Sequence, residues 1–255
     1  MDLVLIIESL PKFLEGTLLT VELVGQALIY GMAIAIPVAL MRVSRNPLIW
    51  VPAYGYIFFF RGTPLLVQIF LIYYGSGQFR PFFEDIGLWP VLREAYLCAI
   101  IAFTLNTAAY TAEIIRGGIE GVPFGEVEAA RACGMSKVLL YRRIILPRAF
   151  RLALQAYGNE VVLMLQASVL ASTITLLDLM GVARTLNARF FAWEMFLVAA
   201  VFYQAMVYVI TRVFKLVEYR LSPHLRAAPD DFRITRPSVV GARPSAINPQ
   251  PKADG

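Results

Sequence analysis

Long apolar stretches alternate with short polar ones along this chain of 255 residues, 58% of which are hydrophobic. A transmembrane helix needs about 20 consecutive, mostly apolar residues. Runs of this kind predict five transmembrane helices, at residues 18–41, 51–74, 96–115, 157–179 and 195–214. The pattern therefore predicts an all-α integral membrane protein with its transmembrane domain in residues 1–222. Residues 223–255 are rich in proline and poor in large apolar side chains, so they are expected to form a disordered tail.

The first apolar run is rich in small residues, including Gly25, Ala27, Gly31 and Ala35. Small residues let helices approach closely in lipid, so this run is expected to pack inside a bundle. Residues 1–16 lack the basic region and the cleavage site of a signal peptide, and we expect a short interfacial helix there.

The second apolar run is interrupted by the sequence RGTP, residues 61–64. Pro64 removes a backbone donor and Gly62 loosens the helix, which predicts a kink or local unwinding. Arg61 is costly at membrane depth unless it faces water or a partner. Alternatively, Arg61 lies at the start of a helix on the cytoplasmic side, and its long side chain places the guanidinium at the membrane interface. Both interpretations remain open.

Polar side chains recur within the predicted spans at helical spacing. In the third span Asn106, Tyr110 and Glu113 fall on one face, and such a stripe usually faces the interior of a bundle. It either lines a path for a solute or joins helices, and we favour the path. The candidate path residues are Arg61, Asn106, Tyr110, Glu113, Glu160, Gln166 and Ser168.

The basic residues indicate the orientation of the chain. With five spans, one side of the membrane receives the first polar connection, the connection after the third span and the tail. These segments hold seventeen lysines and arginines, and the segments on the opposite side hold five. Cytoplasmic segments carry the excess of such residues, so the N-terminus is predicted to be periplasmic and the C-terminus cytoplasmic. The net charge of +5 is explained by these anchors, and no nucleic-acid partner is expected.

The connection after the third span contains a stretch that we call the polar loop, residues 126–147. It holds two acidic and four basic residues between apolar spans, so it must lie outside the hydrocarbon. Ala129, Ala130 and Gly134 are expected to leave a helix face with little side chain, which another protein can approach closely. Gly134 suits the end of a first helix, and Ser136 can cap a second. Pro147 is expected to stop the second helix before the fourth span.

The spacing within the polar loop resembles the cytoplasmic signature of ATP-binding-cassette importer permeases. The matching positions are Glu128, Ala129, Ala130, Gly134, Ile144, Leu146 and Pro147. In that family the loop folds as short coupling helices, which seat in a groove of a separate ATPase subunit. The resemblance thus implies that residues 121–148 form the ATPase-coupling loop of a multi-pass protein of the bacterial inner membrane.

Further motifs resemble the polar-amino-acid branch of this family, and the M-type subunits of histidine/lysine-arginine-ornithine and octopine/nopaline importers in particular. These motifs are RGTPL from Arg61, NTAAYTAEI from Asn106 and GNEV from Gly158. The resemblance implies a homodimer of ATP-binding subunits, a sister permease subunit, a periplasmic substrate-binding protein, surrounding membrane lipid, and a polar, cationic amino acid or opine as substrate. Many relatives have a lysine followed by a polar residue where this chain has Gln166 and Ala167. The sister subunit would then supply the ionic contact with the substrate.

Several catalytic motifs are missing from the sequence. It has no GxxxxGK[ST] phosphate loop, no GxSxG elbow and no metal-ligand spacing, so no cofactor is expected and ATP hydrolysis is assigned to a separate subunit. Cys98 and Cys133 are not expected to pair. Two alternatives are an ion-coupled carrier or channel without an ATPase, and a membrane-embedded enzyme that uses Glu113 and Glu160 as acid and base.

Overall fold

The structure, a computed structural model, describes residues 3–221, and the tail predicted at residues 223–255 lies outside them. The described chain is built of helices that we number in order. They are α1 (Leu3–Val43), α2 (Pro47–Gly62), α3 (Leu65–Phe70), α4 (Ser76–Gln78), α5 (Arg80–Asp85), α6 (Trp89–Leu92), α7 (Ala95–Glu120), α8 (Phe124–Ala132), α9 (Lys137–Leu140), α10 (Leu146–Ala167), α11 (Leu179–Phe190) and α12 (Glu194–Leu221). Two π-helical turns, Leu71–Gly75 and Tyr141–Ile145, and the 3₁₀-helix Ser168–Ile174 extend α3, α9 and α10.

Three of these helices, α1, α7 and α12, are each long and apolar enough to cross a membrane. Two further pairs of helices are long and apolar enough to cross a membrane only when each pair is taken together. Pro47–Gly62 and Leu65–Gln78 meet at a bend of 103°, and Lys137–Ile174 and Leu179–Phe190 meet at a bend of 48°. The described residues therefore supply three membrane-crossing helices, or five if each bent pair is one span. The predicted count of five and the predicted sides of the termini remain predictions.

Helix α7 lies at the centre of the bundle, and α1 packs along its length through small residues. Gly31 of α1 lies so close that a Cβ atom there would come within 2.5 Å of Thr107 Cγ2. Further along the two helices, Ala35 and Ala39 form one buried cluster with Ala109 and Ala112. The sequence prediction that the first apolar run packs inside the bundle is confirmed, since small residues permit this approach.

The N-terminal part of α1 corrects one expectation. No separate interfacial helix precedes the first span, because α1 continues from Leu3 to Val43 with Pro11 inside it. Tertiary packing keeps this part helical. Phe13 is fully buried and stacks on Phe202 of α12, with 5.8 Å between the ring centroids. Gly16 lies against the backbone of Leu179 at the start of α11.

The predicted kink in the second apolar run is confirmed as a sharp bend between α2 and α3. Thr63, the residue before Pro64, is extended with φ −113° and ψ 143°, as expected for a residue that precedes proline. The bend frees backbone carbonyls of α2, and the Gln68 side chain satisfies them. Its Nε2 donates to the carbonyl of Phe60 at 2.9 Å and to that of Thr63 at 3.1 Å.

Two further predictions are wrong. Pro147 does not end a helix, because the chain is helical without a break from Lys137 to Ala167, and the π-helical turn Tyr141–Ile145 directly precedes the proline. Residues 178–193 lie between the predicted fourth and fifth spans, and their polar side chains predict a short external connection; most of this segment is instead helix α11. Asp178 caps this helix by accepting from the Gly181 N–H at 3.0 Å. The buried residues of α11 include Leu179, Val182, Ala183 and Leu186, a helical spacing that the sequence already displayed.

We predict that Gly31→Val destabilises the protein, because the new side chain would overlap Thr107 and push α1 away from α7. Overpacking of this kind costs about 1–3 kcal/mol. The measurement is the thermal unfolding midpoint of the protein in detergent. Gly25→Val is the matched control, since a Cβ at Gly25 meets nothing within 4 Å. Equal midpoints for the two variants would contradict close packing at Gly31.

Candidate functional site

The polar loop folds as two short helices, α8 and α9, joined by a tight turn. Gly134 has a φ of +77°, which glycine adopts without steric cost. The Met135 N–H donates to the carbonyl of Ala130 at 3.2 Å, and the Gly134 N–H donates to that of Arg131 at 2.9 Å. These two bonds form a Schellman motif at the end of α8. The Ser136 hydroxyl accepts from the Leu139 N–H at 3.4 Å and caps α9, so both helix-end predictions are confirmed.

The signature residues of the polar loop divide between two faces. Glu128, Ala129, Gly134, Leu146 and Pro147 are exposed, and Ile144 is half-buried. Ala130 is only 6% exposed and packs in an apolar cluster. The other buried members of this cluster are Val122, Leu140, Ile145 and Ala149.

The expectation that Ala129 and Ala130 share one docking face is therefore wrong. Successive residues of a helix point about 100° apart, so only one of the two faces outward. Ala129 contributes to the outer surface of α8, whereas Ala130 fixes the helix to the transmembrane bundle.

An ion pair also fixes α8 to the start of α10. Arg148 Nη2 lies 2.7 Å from Glu126 Oε1, and Arg148 Nε lies 3.1 Å from Glu126 Oε2. This two-point geometry is the strongest that a carboxylate and a guanidinium form. The sequence carried no signal for the pair, because its members lie 22 residues apart and belong to different helices. Together with the apolar cluster, the pair joins the polar loop to α10.

The polar stripe of α7 lies largely inside the chain. Asn106 Nδ2 donates to Gln68 Oε1 at 3.0 Å and to the carbonyl of Phe60 at 3.3 Å. The Thr107 hydroxyl donates to Glu160 Oε1 on α10 at 3.1 Å. Asn106 and Glu160 are both buried, so in this structure they join α7 to its neighbours. Their proposed part in a path for solute remains a prediction.

The next turns of α7 form a charged cluster with the ends of α1 and α2. Glu113 lies 2.8 Å from Arg116, 3.3 Å from Arg42 and 3.9 Å from Arg61. The Arg61 guanidinium also lies 5.1 Å from the ring centroid of Tyr110. Arg61 therefore has partners within the chain, as one of its two interpretations required. A cavity of about 350 Å³ opens beside this cluster.

The two remaining candidate path residues point in different directions. Gln166 is exposed on α10. Ser168 is fully buried, and its hydroxyl donates to the carbonyl of Leu165 in its own helix at 2.6 Å. The structure thus separates these two side chains. Among residues 3–221 no group of three or more His, Cys, Asp or Glu side chains could hold a metal ion, and Cys98 and Cys133 are both free.

The described residues form a multi-pass membrane protein, with helices of membrane-crossing length around a hydrogen-bonded interior and a two-helix polar segment held against one of them. Residues 30–223 match the family described as "Binding-protein-dependent transport system inner membrane component". The chain belongs to this family. It is an inner-membrane, non-catalytic subunit of an ABC transport system, which confirms the predicted family, location and lack of enzymatic activity.

Named relatives agree with this assignment. The chain is 50% identical over 228 residues to the nopaline transport system permease protein NocM of Agrobacterium fabrum, a match that covers 89% of this chain and 95% of the relative. It is 50% identical over 220 residues to the octopine transport system permease protein OccM of Rhizobium meliloti, covering 86% and 89%. Identity to the histidine/lysine/arginine/ornithine permease protein HisM of Escherichia coli strain K12 is 41% over 212 residues, covering 83% and 89%.

Two solved structures share the fold. The first is described as the crystal structure of an amino acid ABC transporter with histidines, and it is 33% identical with a TM-score of 0.77. The match covers 86% of this chain and 99% of that one. The second, the inward-facing MetNI methionine ABC transporter, is 18% identical with a TM-score of 0.68 and covers 84% and 98%. At that identity the second match supports the fold alone.

We predict that reversing either charge of the Glu126–Arg148 pair loosens the polar loop, and that reversing both restores it. Glu126→Arg or Arg148→Glu places like charges together, whereas the double variant recreates the attraction. A half-exposed pair is worth about 0.2–1 kcal/mol, so opening should rise by a factor of about 1.4 to 5 in each single variant. The measurement is the rate of chymotrypsin cleavage after the exposed Tyr141.

Arg80→Glu is the control for the charge-reversal experiment, because it disrupts the exposed Arg80–Glu84 pair of α5, outside the polar loop. It should leave cleavage after Tyr141 unchanged. A double variant that is cleaved as fast as the single variants would show that the ion pair does not hold the loop.

Proposed function

We propose that the chain is a permease subunit of an ATP-driven importer and that a separate ATP-binding subunit drives it through the polar loop. The observation that carries this proposal is the two-sided construction of α8. Its outer surface presents Glu128 and Ala129, and the turn that follows exposes Gly134, so a partner can approach close to the backbone. Its inner surface is fixed to α10 by Ala130 and by the Glu126–Arg148 pair.

The proposed topology has five spans, with the polar loop and the C-terminus in the cytoplasm. The excess of basic residues on that side supports this orientation. Counting each bent helix pair as one span supports the number. In this arrangement the polar loop is accessible to a cytoplasmic ATPase, and the other ends of the spans are accessible to a periplasmic binding protein.

Differential binding of ATP would supply the driving force. A pair of ATP-binding subunits that closes on ATP would draw together the polar loops of two permease subunits. A ligand shifts a conformational equilibrium only by its difference in affinity for the two states, so ATP must bind the closed state more tightly. The fixed contact between α8 and α10 would convey the movement to the transmembrane helices.

The proposed substrates are polar, cationic amino acids or opines. The names of the relatives support this class, because they specify nopaline, octopine, histidine, lysine, arginine and ornithine. We further propose a periplasmic binding protein that delivers the substrate and a sister permease subunit that completes the path. Gln166 is neutral, which is consistent with an ionic contact provided by the sister subunit.

We predict that changes on the outer surface of α8 uncouple transport from ATP hydrolysis. Glu128→Lys reverses an exposed charge, and Gly134→Asp adds both a charge and a side chain at positive φ. Gly134→Ala isolates the backbone effect, because the left-handed conformation costs a non-glycine residue about 1–2 kcal/mol. That cost lowers by about five- to thirty-fold the population of polar loops that have the turn conformation proposed to dock on the ATPase. The measurement is substrate uptake per ATP hydrolysed in proteoliposomes.

Gly125→Ala is the matched control for Gly134→Ala. Gly125 lies within α8, and a Cβ there meets nothing within 4 Å. Uptake by this control should match that of the unchanged protein. If Glu128→Lys and Gly134→Asp both left uptake and its coupling to ATP hydrolysis intact, the polar loop would not be the ATPase-docking site.

We also predict that uptake of labelled arginine by the complete transporter requires ATP and the binding protein. Excess unlabelled ornithine or histidine should reduce it, whereas excess leucine should not, because leucine lacks the side-chain cation or polar group. Uptake that continued after ATP depletion at a constant membrane potential would instead indicate an ion-coupled carrier. Equal inhibition by leucine would contradict the substrate class alone.

A further inference from the structure

An apolar groove lies on the outer surface of the chain, between α1 and α10 and over α7. Both outer helices pack closely on α7, since a Cβ at Gly31 of α1 would come within 2.5 Å of Thr107, and a Cβ at Gly118 of α7 would come within 2.7 Å of the Ala149 carbonyl oxygen of α10. Between them they leave a space of about 580 Å³.

We call this space the outer groove. Its lining is almost wholly apolar and includes Ile36 and Leu40 of α1, Ile115 of α7, and Leu146 and Phe150 of α10. Leu40 and Phe150 on its rim are 59% and 57% exposed. An exposed apolar surface of this shape marks a site for an apolar ligand or partner. It does not suit an amino acid, because the lining cannot satisfy the hydrogen bonds of a polar solute.

The outer groove covers the depth of one leaflet of the membrane. It extends from Met32 to Leu40 on α1 and from Leu146 to Tyr157 on α10. With a rise of about 1.5 Å per residue these stretches are about 12 and 16 Å long, and half of the hydrocarbon core is about 15 Å. A transmembrane helix of another subunit would need a groove about twice as long. The length therefore favours a lipid acyl chain as the occupant.

Two arginines lie at one end of the outer groove. Arg142 precedes Leu146 by four residues and Phe150 by eight in a continuous helix, so it lies on the side of the helix that lines the groove. Arg143 is its neighbour in the π-helical turn. Both side chains are exposed, and neither has an ion-pair partner in the part of the chain that the structure describes. A guanidinium binds a phosphate group through two parallel hydrogen bonds.

We infer that the outer groove binds one anionic phospholipid of the cytoplasmic leaflet, with an acyl chain between α1 and α10 and the phosphate on Arg142 and Arg143. The inference uses the proposed orientation of the chain, which places this end of the groove at the cytoplasmic surface. That leaflet carries anionic lipids, and basic pockets between transmembrane helices on the cytoplasmic side bind their head groups.

The groove and the arginines contribute in different ways. An acyl chain in a membrane is already out of water, so the groove holds it by close van der Waals contact and does not select the head group. The arginines supply that selection. A basic residue near the surface strengthens the binding of anionic lipid by about five-fold, so two give a preference of about twenty-five-fold over a lipid without net charge.

Native mass spectrometry of the complete transporter tests the inference. The complex in detergent is mixed with phosphatidylglycerol or with phosphatidylcholine that has the same acyl chains, and retained lipids are counted. The parent should retain one phosphatidylglycerol per copy of this chain more strongly than phosphatidylcholine, by about twenty-five-fold. Arg142→Gln combined with Arg143→Gln should abolish this preference. Arg220→Gln is the control, because it removes an exposed arginine of α12, outside the groove.

A second variant fills the outer groove. Ile36→Trp should reduce the retention of both lipids at least about five-fold. Ile29→Trp, seven residues earlier on α1, is the matched control, because Ile29 is exposed and does not line the groove. The same spectra report the subunit composition, so they show that each variant still assembles.

Four results would overturn the inference. They are equal retention of the two lipids by the parent, an unchanged preference in the double arginine variant, equal lipid retention by Ile36→Trp and Ile29→Trp, and displacement of phosphatidylglycerol by an equal concentration of inorganic phosphate. Loss of the sister permease from the Ile36→Trp complex, with lipid retention unchanged, would overturn it in favour of a protein partner. None of these measurements depends on uptake, so the proposed importer function stands or falls separately.

Discussion

The bend between α2 and α3 depends on a pair of buried amides. A backbone carbonyl that leaves a helix inside a membrane protein needs a new donor, because lipid offers none. Gln68 donates to Phe60 and Thr63, and Asn106 of α7 donates to Gln68 and to Phe60. These bonds tie the broken segment to the central helix. They also place the end of α2 where Arg61 meets Tyr110 and Glu113.

Polar residues within the spans consequently have different surroundings. Gln68 and Asn106 satisfy the broken backbone, Thr107 and Glu160 join two helices, and Gln166 of α10 is exposed. In the sequence all of them are polar residues at helical spacing in an apolar run. Their roles depend on what lies opposite each side chain, and this is decided by the packing of helices that are far apart in the chain.

The same distinction explains which features could be predicted from the sequence. The apolar runs, the break at Pro64 and the caps at Gly134 and Ser136 are local features, and the structure has helices, a bend and caps at those places. Three other features depend on contacts between segments that are distant in the chain. They are the continuation of the helix through Pro147, the burial of Ala130 and the Glu126–Arg148 pair. Helix α11 had a usable signal in its apolar spacing. The spans were predicted from runs of about 20 mostly apolar residues, and the polar and charged residues of α11 interrupt such a run.

The continuous helix from Lys137 to Ala167 connects the proposed docking surface mechanically to the transmembrane bundle. It begins in the polar loop, passes through the π-helical turn Tyr141–Ile145 and Pro147, and then reaches Glu160, which accepts a hydrogen bond from Thr107 of α7. π-Helical turns and prolines are the usual positions at which a helix bends. Arg148, bound to Glu126 of α8, lies immediately beyond that point on the membrane side. In the proposed importer a displacement of α8 would therefore act on α10 just beyond the π-helical turn and Pro147, so the docking surface can move α10 without unfolding the helix between them.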